Sequence, residues 1–190
     1  MAQALDDLLD SLEDADDATR EEAAKALAEL ANPATLDALI GACGDEFWSV
    51  RTRAGWGVAK IGGPKAIEAL IVLFNDPIME VRNEAVAAVV SLGAGQLDRL
   101  LAAMKDERWR VREHAAKACG DLHDSGAVDA LLFACRDRDG AVKSAAAEAL
   151  GKIGDPKAIP ALVKLFRDSS KIVRETAGIA LVAIGQPSVD

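Results

Sequence analysis

The chain has 190 residues, 51% of them apolar, with 22 basic and 31 acidic side chains and a formal charge of −9. No apolar run approaches the ~20 residues of a membrane span, and the excess of carboxylates repels phosphate backbones, which disfavours nucleic acid as a partner. The acidic opening "MAQALDDLLD" lacks the basic start of a secretory leader, and Cys43, Cys119 and Cys135 have no CxxC spacing, so free buried thiols and a cytoplasmic location are expected.

The charge is unevenly placed. Residues 1–44 hold eleven Asp and Glu against Arg20 and Lys25 alone, while the remainder balances at 20 of each sign. Within that acidic segment, Leu5, Leu8, Leu9 and Leu12 recur at helical spacing. They predict a capping helix over 1–13 with one apolar and one polar face.

From there the chain repeats itself. A Val-Arg pair, with Lys in one copy, stands at Val50-Arg51, Val81-Arg82, Val111-Arg112, Val142-Lys143 and Val173-Arg174, and Thr19-Arg20 extends the register backwards. Successive steps in the arginine column are 31, 31, 30, 31 and 31 residues, and an aspartate recurs six positions before each, from Asp14 and Asp45 to Asp168. A fixed period of this size marks an array of supersecondary units. The units fall at 14–44, 45–75, 76–105, 106–136 and 137–167, with a final half-repeat at 168–190, all in one domain spanning 1–190.

Each unit reads as two helices. The first, about Glu46 to Ile61 in the second repeat, has Asp45 before it as a natural N-cap. Small residues such as Ala54-Gly55 and Ala115-Ala116 follow the arginine and admit a close neighbour. Gly62, Gly93, Gly154 and Gly185 close the first helices, and Pro64, Pro156 and Pro187 bar their continuation. The second helix is shorter and carries one apolar stripe, such as Ile67, Leu70, Ile71 and Phe74, which only a stacked neighbour can bury. The regular spacing of aspartates and arginines predicts an Asp–Arg ladder along the stack.

Residues 142–162, "VKSAAAEALGKIGDPKAIPAL", carry the pattern almost whole. It resembles the HEAT-like repeat of phycobilin lyase subunits and many other bacterial and archaeal proteins. The resemblance implies an all-α fold, a right-handed α-solenoid of helical hairpins with a period of about 31 residues. It also implies that the first helices line a concave surface. It is weak for function, because the repeat serves scaffolds, lyases and metal enzymes alike.

Function is therefore sought in the columns that vary. Trp48, Met79 and Trp109 stand three residues before the arginine in successive repeats, and Trp56 lies two turns beyond Trp48 on one helix face with Thr52 between them. With Arg53, Asn83, Glu113 and His114 they form the candidate partner-binding set, aromatic anchors among polar contacts. The reading is a non-enzymatic adaptor or scaffold that binds a protein or peptide on the concave face. The alternative is a bilin lyase or chaperone-like subunit, in which Trp48, Trp56, Arg53 and His114 would grip a tetrapyrrole. A deoxyhypusine-hydroxylase-like di-iron enzyme is rejected, since its His-Glu dyads have no counterpart beyond a reversed Glu113-His114. No catalytic residue, metal or cofactor is implied. In the last helix, Ile179 and Val182 replace residues that are small or polar in most repeats, and mark a candidate interface for self-association. His123 falls in the C-cap column, where a turn residue is wanted.

Overall fold

The computed structural model describes residues 2–185. Among them are twelve α-helices, four short 3-10 turns and no strand. They group into two compact units that divide between Leu92 and Gly93, inside the repeat expected at 76–105. The first unit contains α1 (Ala2–Ser11), α2 (Asp17–Leu30), α3 (Leu36–Ala42), α4 (Trp48–Ile61), α5 (Pro64–Leu73) and α6 (Met79–Ser91). The second contains α7 (Leu97–Ala103), α8 (Trp109–Asp121), α9 (Val128–Ala134), α10 (Gly140–Ile153), α11 (Ile159–Leu165) and α12 (Lys171–Gly185).

Both units have the same two-layer logic. In the first, the long helices α2, α4 and α6 pack side by side, with α3 and α5 as a second layer and α1 against α2. In the second, α8, α10 and α12 form the row and α7, α9 and α11 back it. The architecture is an all-α solenoid of helical hairpins. The stripe of each short helix is largely buried: Ile67, Leu70 and Phe74 have no exposed surface, nor do Leu100, Leu131 and Leu162, while Ile71 is half-buried. Each such side chain contributes roughly 1.5–3 kcal/mol on leaving water.

Small residues set how closely the long helices approach. A Cβ at Gly57 would stand 3.0 Å from the Ala28 Cβ, and one at Gly120 only 2.6 Å from the Ala149 Cα. Gly151 meets Ala180 in the same way, at 2.9 Å. Glycine supplies the conformation at the ends of these helices too, with φ of 74° at Gly62 and 79° at Gly93 and Gly154. In the fourth repeat His123 takes that role, at φ 51°, and its Nδ1 lies 2.9 Å from the Lys152 carbonyl oxygen. Pro64 opens α5, and Pro156 opens the 3-10 turn before α11. Pro187 lies outside the described residues.

One capping expectation needs correction. Helix α4 begins at Trp48 rather than Glu46, and its N-cap position is Phe47. Asp45 instead accepts the Phe47 amide at 2.8 Å, in a turn ahead of the helix. Its carboxylate is claimed elsewhere, because Arg20 grips both oxygens at 2.8 and 3.1 Å.

That grip is one rung of the ladder. Arg51 binds Asp76 at 2.6 and 2.9 Å, and Arg112 binds Asp137 at 2.7 and 2.9 Å; Lys143 pairs with Asp168 through its Nζ. Each rung reaches the aspartate 25 residues on, in the next repeat. The same arginine's Nη1 donates to backbone carbonyls at the start of its own repeat, as Arg51 does to Asp45 and Glu46 at 2.8 and 3.0 Å. A planar fork with five donors serves both partners at once. Arg82 keeps the backbone half, donating to the Asp76 and Pro77 carbonyls, while its Nε is buried without a hydrogen-bond partner among the described residues. In the second unit Asp106 is held by Arg108, at 2.9 Å to each oxygen.

The ladder makes stability sensitive to acid. Burial, the largest single effect, pushes the Asp45 and Asp137 carboxyls up, but the Arg20 and Arg112 hydrogen bonds, the Phe47 and Asp139 amides and the nearby guanidinium charges together outweigh it and hold both below the usual value. At Asp168 the Lys143 bond is the largest effect and lowers it likewise. A carboxylate whose folded pKa is depressed gives stability that is complete above its unfolded pKa, about 3.9, and is lost as pH falls through the folded value. The urea midpoint is therefore expected to hold through mildly acidic buffer and to drop once pH passes below about 4. A midpoint flat through that window would show that the rungs contribute nothing.

Candidate functional site

The row of long helices in the first unit carries the aromatic set. Trp48 and Met79 open α4 and α6, adjacent helices, and are 48% and 57% exposed. They sit at the first helical position, where the side chain leans over the preceding loop rather than into the core. Arg53 and Asn83 are exposed on the same helices, and Arg53 makes one ion pair with Glu21 at 3.3 Å. Thr52 donates its hydroxyl to the Trp48 carbonyl at 3.0 Å, so it holds the helix start rather than facing outward freely. Trp56 is half-buried, and its Nε1–H donates to Glu84 on α6 at 2.9 Å. Its indole thus ties two neighbouring repeats together while leaving a face partly open.

In the second unit the equivalent position holds Trp109, 38% exposed, with the Arg110 guanidinium 4.8 Å from its ring centre. Glu113 is half-buried and bound to Lys117 at 2.7 Å. These two residues form one wall of a recess of about 380 Å³ along the long helices, whose other side includes Ser144, Glu148 and Ile172. His114, expected among the polar contacts, is 1% exposed and belongs to the interior. Its Nδ1 lies 2.8 Å from the Arg110 carbonyl oxygen, one turn back. The physical reason is the side chain: in the same column the long charged Arg53 and Glu84 extend to solvent, whereas an imidazole is compact enough to be packed there with a backbone partner. The expected tetrapyrrole grip loses this residue.

The two candidate interface residues of the last helix are open to solvent, Ile179 at 72% and Val182 at 61%, together with Ile172 at 66%. Cys119 and Cys135 are buried and Cys43 half-buried, all free, and burial pushes their thiols up to about 12, 11 and 12 respectively. None is a poised nucleophile. Among the described residues no three His, Cys, Asp or Glu side chains gather as a metal site would require.

Two features escaped the reading of the long helices. Phe47, just before Trp48, is 44% exposed and enlarges the apolar patch of the first unit. Phe133, on the short helix α9, is 78% exposed. A column reading of the short helices would have found it, since its repeat equivalents are Gly41, Val72, Ala102 and Lys164.

The comparisons with known proteins agree with this architecture. No curated protein sequence matches the chain. Among solved structures, the complex of CpcE and CpcF of phycocyanin lyase from Nostoc sp. PCC7120 is similar with a TM-score of 0.62 and 22% identity, over 79% of this chain and 99% of that one. An engineered protein matches at 0.53 and 23% identity, over 95% and 98% of the two chains. A designed armadillo repeat protein in complex with the peptide (KR)4 matches at 0.50 and 21%, over 95% and 99%. At these identities the likeness is one of fold. A family model for HEAT repeats matches residues 5–90 and 97–187, nearly the whole chain, and the protein belongs to the HEAT repeat family.

Proposed function

We propose that the chain is a non-catalytic adaptor that binds a protein or peptide through the faces of its long helices. The observation that carries the reading is the exposure of Trp48 and Met79 on adjacent helices, 48% and 57%, beside the open side chains of Arg53 and Asn83. Large apolar groups held at fixed spacing on a rigid helix row, with polar neighbours at hand, are what a partner's side chains pack against. Trp109 with its stacked Arg110 repeats the combination in the second unit. The peptide-bound designed repeat protein shows that helical arrays of this fold class serve such a task.

The test is affinity purification of the tagged protein beside a Trp48→Ala/Trp109→Ala variant, followed by titration of the purified partner. A partner retained by the parent is expected to bind the variant at least about tenfold more weakly, a loss of about 1.4 kcal/mol, while helicity and melting stay nearly unchanged. An equal loss of folding stability would make both tryptophans packing residues. A coloured eluate would favour the bilin-handling alternative.

The end helix α12 supports a second contact, with another copy of the chain. Its Val182 fills the column where Gly120 and Gly151 admit the next helix, so a β-branched side chain occupies the close-approach position. Sedimentation of the parent beside Ile179→Glu tests this: a concentration-dependent dimer lost in the variant is expected, and a parent that stays monomeric overturns it.

A further inference from the structure

The short helices of the second unit carry a surface of different character from the tryptophan faces. Between α7 and α9 runs a groove of about 610 Å³, floored by Leu101, Met104, Ala130 and Ala134, with Phe133 at its side. Phe133 is 78% exposed, more than any other large apolar side chain among the described residues. Beyond α9 a smaller recess of about 210 Å³ lies against α11, lined by Leu132, Cys135, Pro160 and Leu165.

The rims of both are basic. Lys105, Arg136 and Arg138 border the larger groove, and Arg136, Lys157 and Lys164 the smaller. Lys105, Arg136, Lys157 and Lys164 have no ion-pair partner among the described residues, and Arg138 donates to the Glu107 carbonyl at 3.4 Å and adds its charge to those that lower Asp137. The carboxylates at the larger groove are mostly spoken for: Asp106 is held by Arg108 and Asp137 by Arg112, which leaves Glu107 as the one without a side-chain partner. The smaller recess has no carboxylate in its lining.

The placement follows the repeat register. Lys105, Arg136 and Arg167 occupy a single column, directly after the short helix, where the first unit has Gly44 and Asn75. The net charge of −9 resides in residues 1–44, and on the otherwise balanced remainder these cations stand beside an exposed phenylalanine. A framework role explains neither part, because the ladder uses a different arginine column and the core stripe uses different positions.

We infer that the short-helix surface of the second unit is a docking site for an acidic peptide segment of a partner protein that carries at least one large apolar residue. The apolar residue packs on Phe133 over the Leu101–Met104 floor. Flanking carboxylates meet Arg136, Arg138 and Lys105 on one side and Lys157 and Lys164 on the other. Recessed apolar floors take an apolar side chain of matching shape, which neither a phosphate backbone nor a flat headgroup layer presents. The site is separate from the tryptophan faces and does not rest on the function proposed for them.

The test is selection of a random-peptide display library on the whole protein, with the enriched sequence then synthesised and titrated. Enriched peptides are expected to be rich in Asp and Glu around an aromatic or aliphatic anchor, and to bind more weakly as salt rises. Affinity should fall at least about tenfold in Phe133→Ala and again in Arg136→Glu, and stay unchanged in Trp48→Ala/Trp109→Ala. Both substituted side chains are exposed, so circular dichroism should confirm that each variant folds. The proposal is overturned if the enriched peptides are basic or neutral, if nothing is enriched over an unrelated folded protein, or if binding ignores Phe133 and Arg136. Anionic vesicles or a DNA oligonucleotide binding with the same dependence on those residues would also overturn it.

Discussion

Replacing Arg51 with alanine is expected to destabilise the protein by about 3–5 kcal/mol, because it leaves a buried carboxylate without its counter-charge. The Arg51 and Asp76 side chains are only 10% and 4% exposed, the most buried rung of the ladder. Without Arg51, Asp76 keeps its bond to the Ile78 amide, at 2.8 Å, and loses both charged donors. The carbonyls of Asp45 and Glu46 lose theirs as well. For a chain of this length each kcal/mol shifts the melting temperature by about 2–4 °C, so a calorimetric drop of at least about 6 °C should be seen. Arg51→Met combined with Asp76→Leu should recover much of the loss, since the orphaned charge is gone. Recovery would remain incomplete, because the two carbonyls still lack a donor. A single variant that melts within about 1 °C of the parent, at most about 0.5 kcal/mol, would mean that the rung is ornamental.

The second large effect is one of sign. Alanine is the better helix former by about 1 kcal/mol, yet Gly120→Ala should destabilise. Its new methyl would stand 2.6 Å from the Ala149 Cα and 2.7 Å from the Ala149 Cβ, and neither backbone nor a Cβ can rotate away. Helices α8 and α10 must separate. Overpacking of this kind costs about 1–3 kcal/mol, which at the tight end outweighs the gain in propensity. Gly41→Ala, within α3, provides the control: nothing lies within 4 Å of the new Cβ. It should stabilise by up to about 1 kcal/mol. Urea denaturation of the two variants should thus move in opposite directions, and parallel movement would remove close helix approach as the reason for glycine at 120.

How much of this was legible beforehand differs by feature. The ladder is readable as two columns because it needs only two residue types at a fixed period; that each rung joins an arginine to the aspartate 25 residues on, rather than the one six residues back, is decided by packing. The turn at His123 was readable as one position in a column of glycines. Asp45 was misread as a helix cap because a lone aspartate before a helix has two possible employments, and only the arrival of Arg20 from the preceding repeat decides between them. His114 was misassigned because two residues past the arginine is an exposed or half-buried position at Arg53, Glu84 and Thr176 and a buried one at His114 and Ala145. Phe47 and Phe133 lie outside the long-helix columns, one in the turn before α4 and the other on the short helix α9, so the pattern of those columns does not reveal them.

The sequence by itself determined the repeat, its period, the alternation of long and short helices, the buried stripe of each short helix and the two columns of the ladder. All of these recur in every unit, and a recurring constraint leaves its mark in a column. The tertiary structure alone decided which irregular residues stay in contact with solvent. The three tryptophans differ accordingly: Trp56 is half-buried against Glu84 of the neighbouring helix, Trp109 is stacked by Arg110 of its own helix, and Trp48 stays 48% exposed. The basic rims around Phe133 belong to the same category. Their residues come from different helices and loops, and only packing brings them to one surface with their charges unmatched.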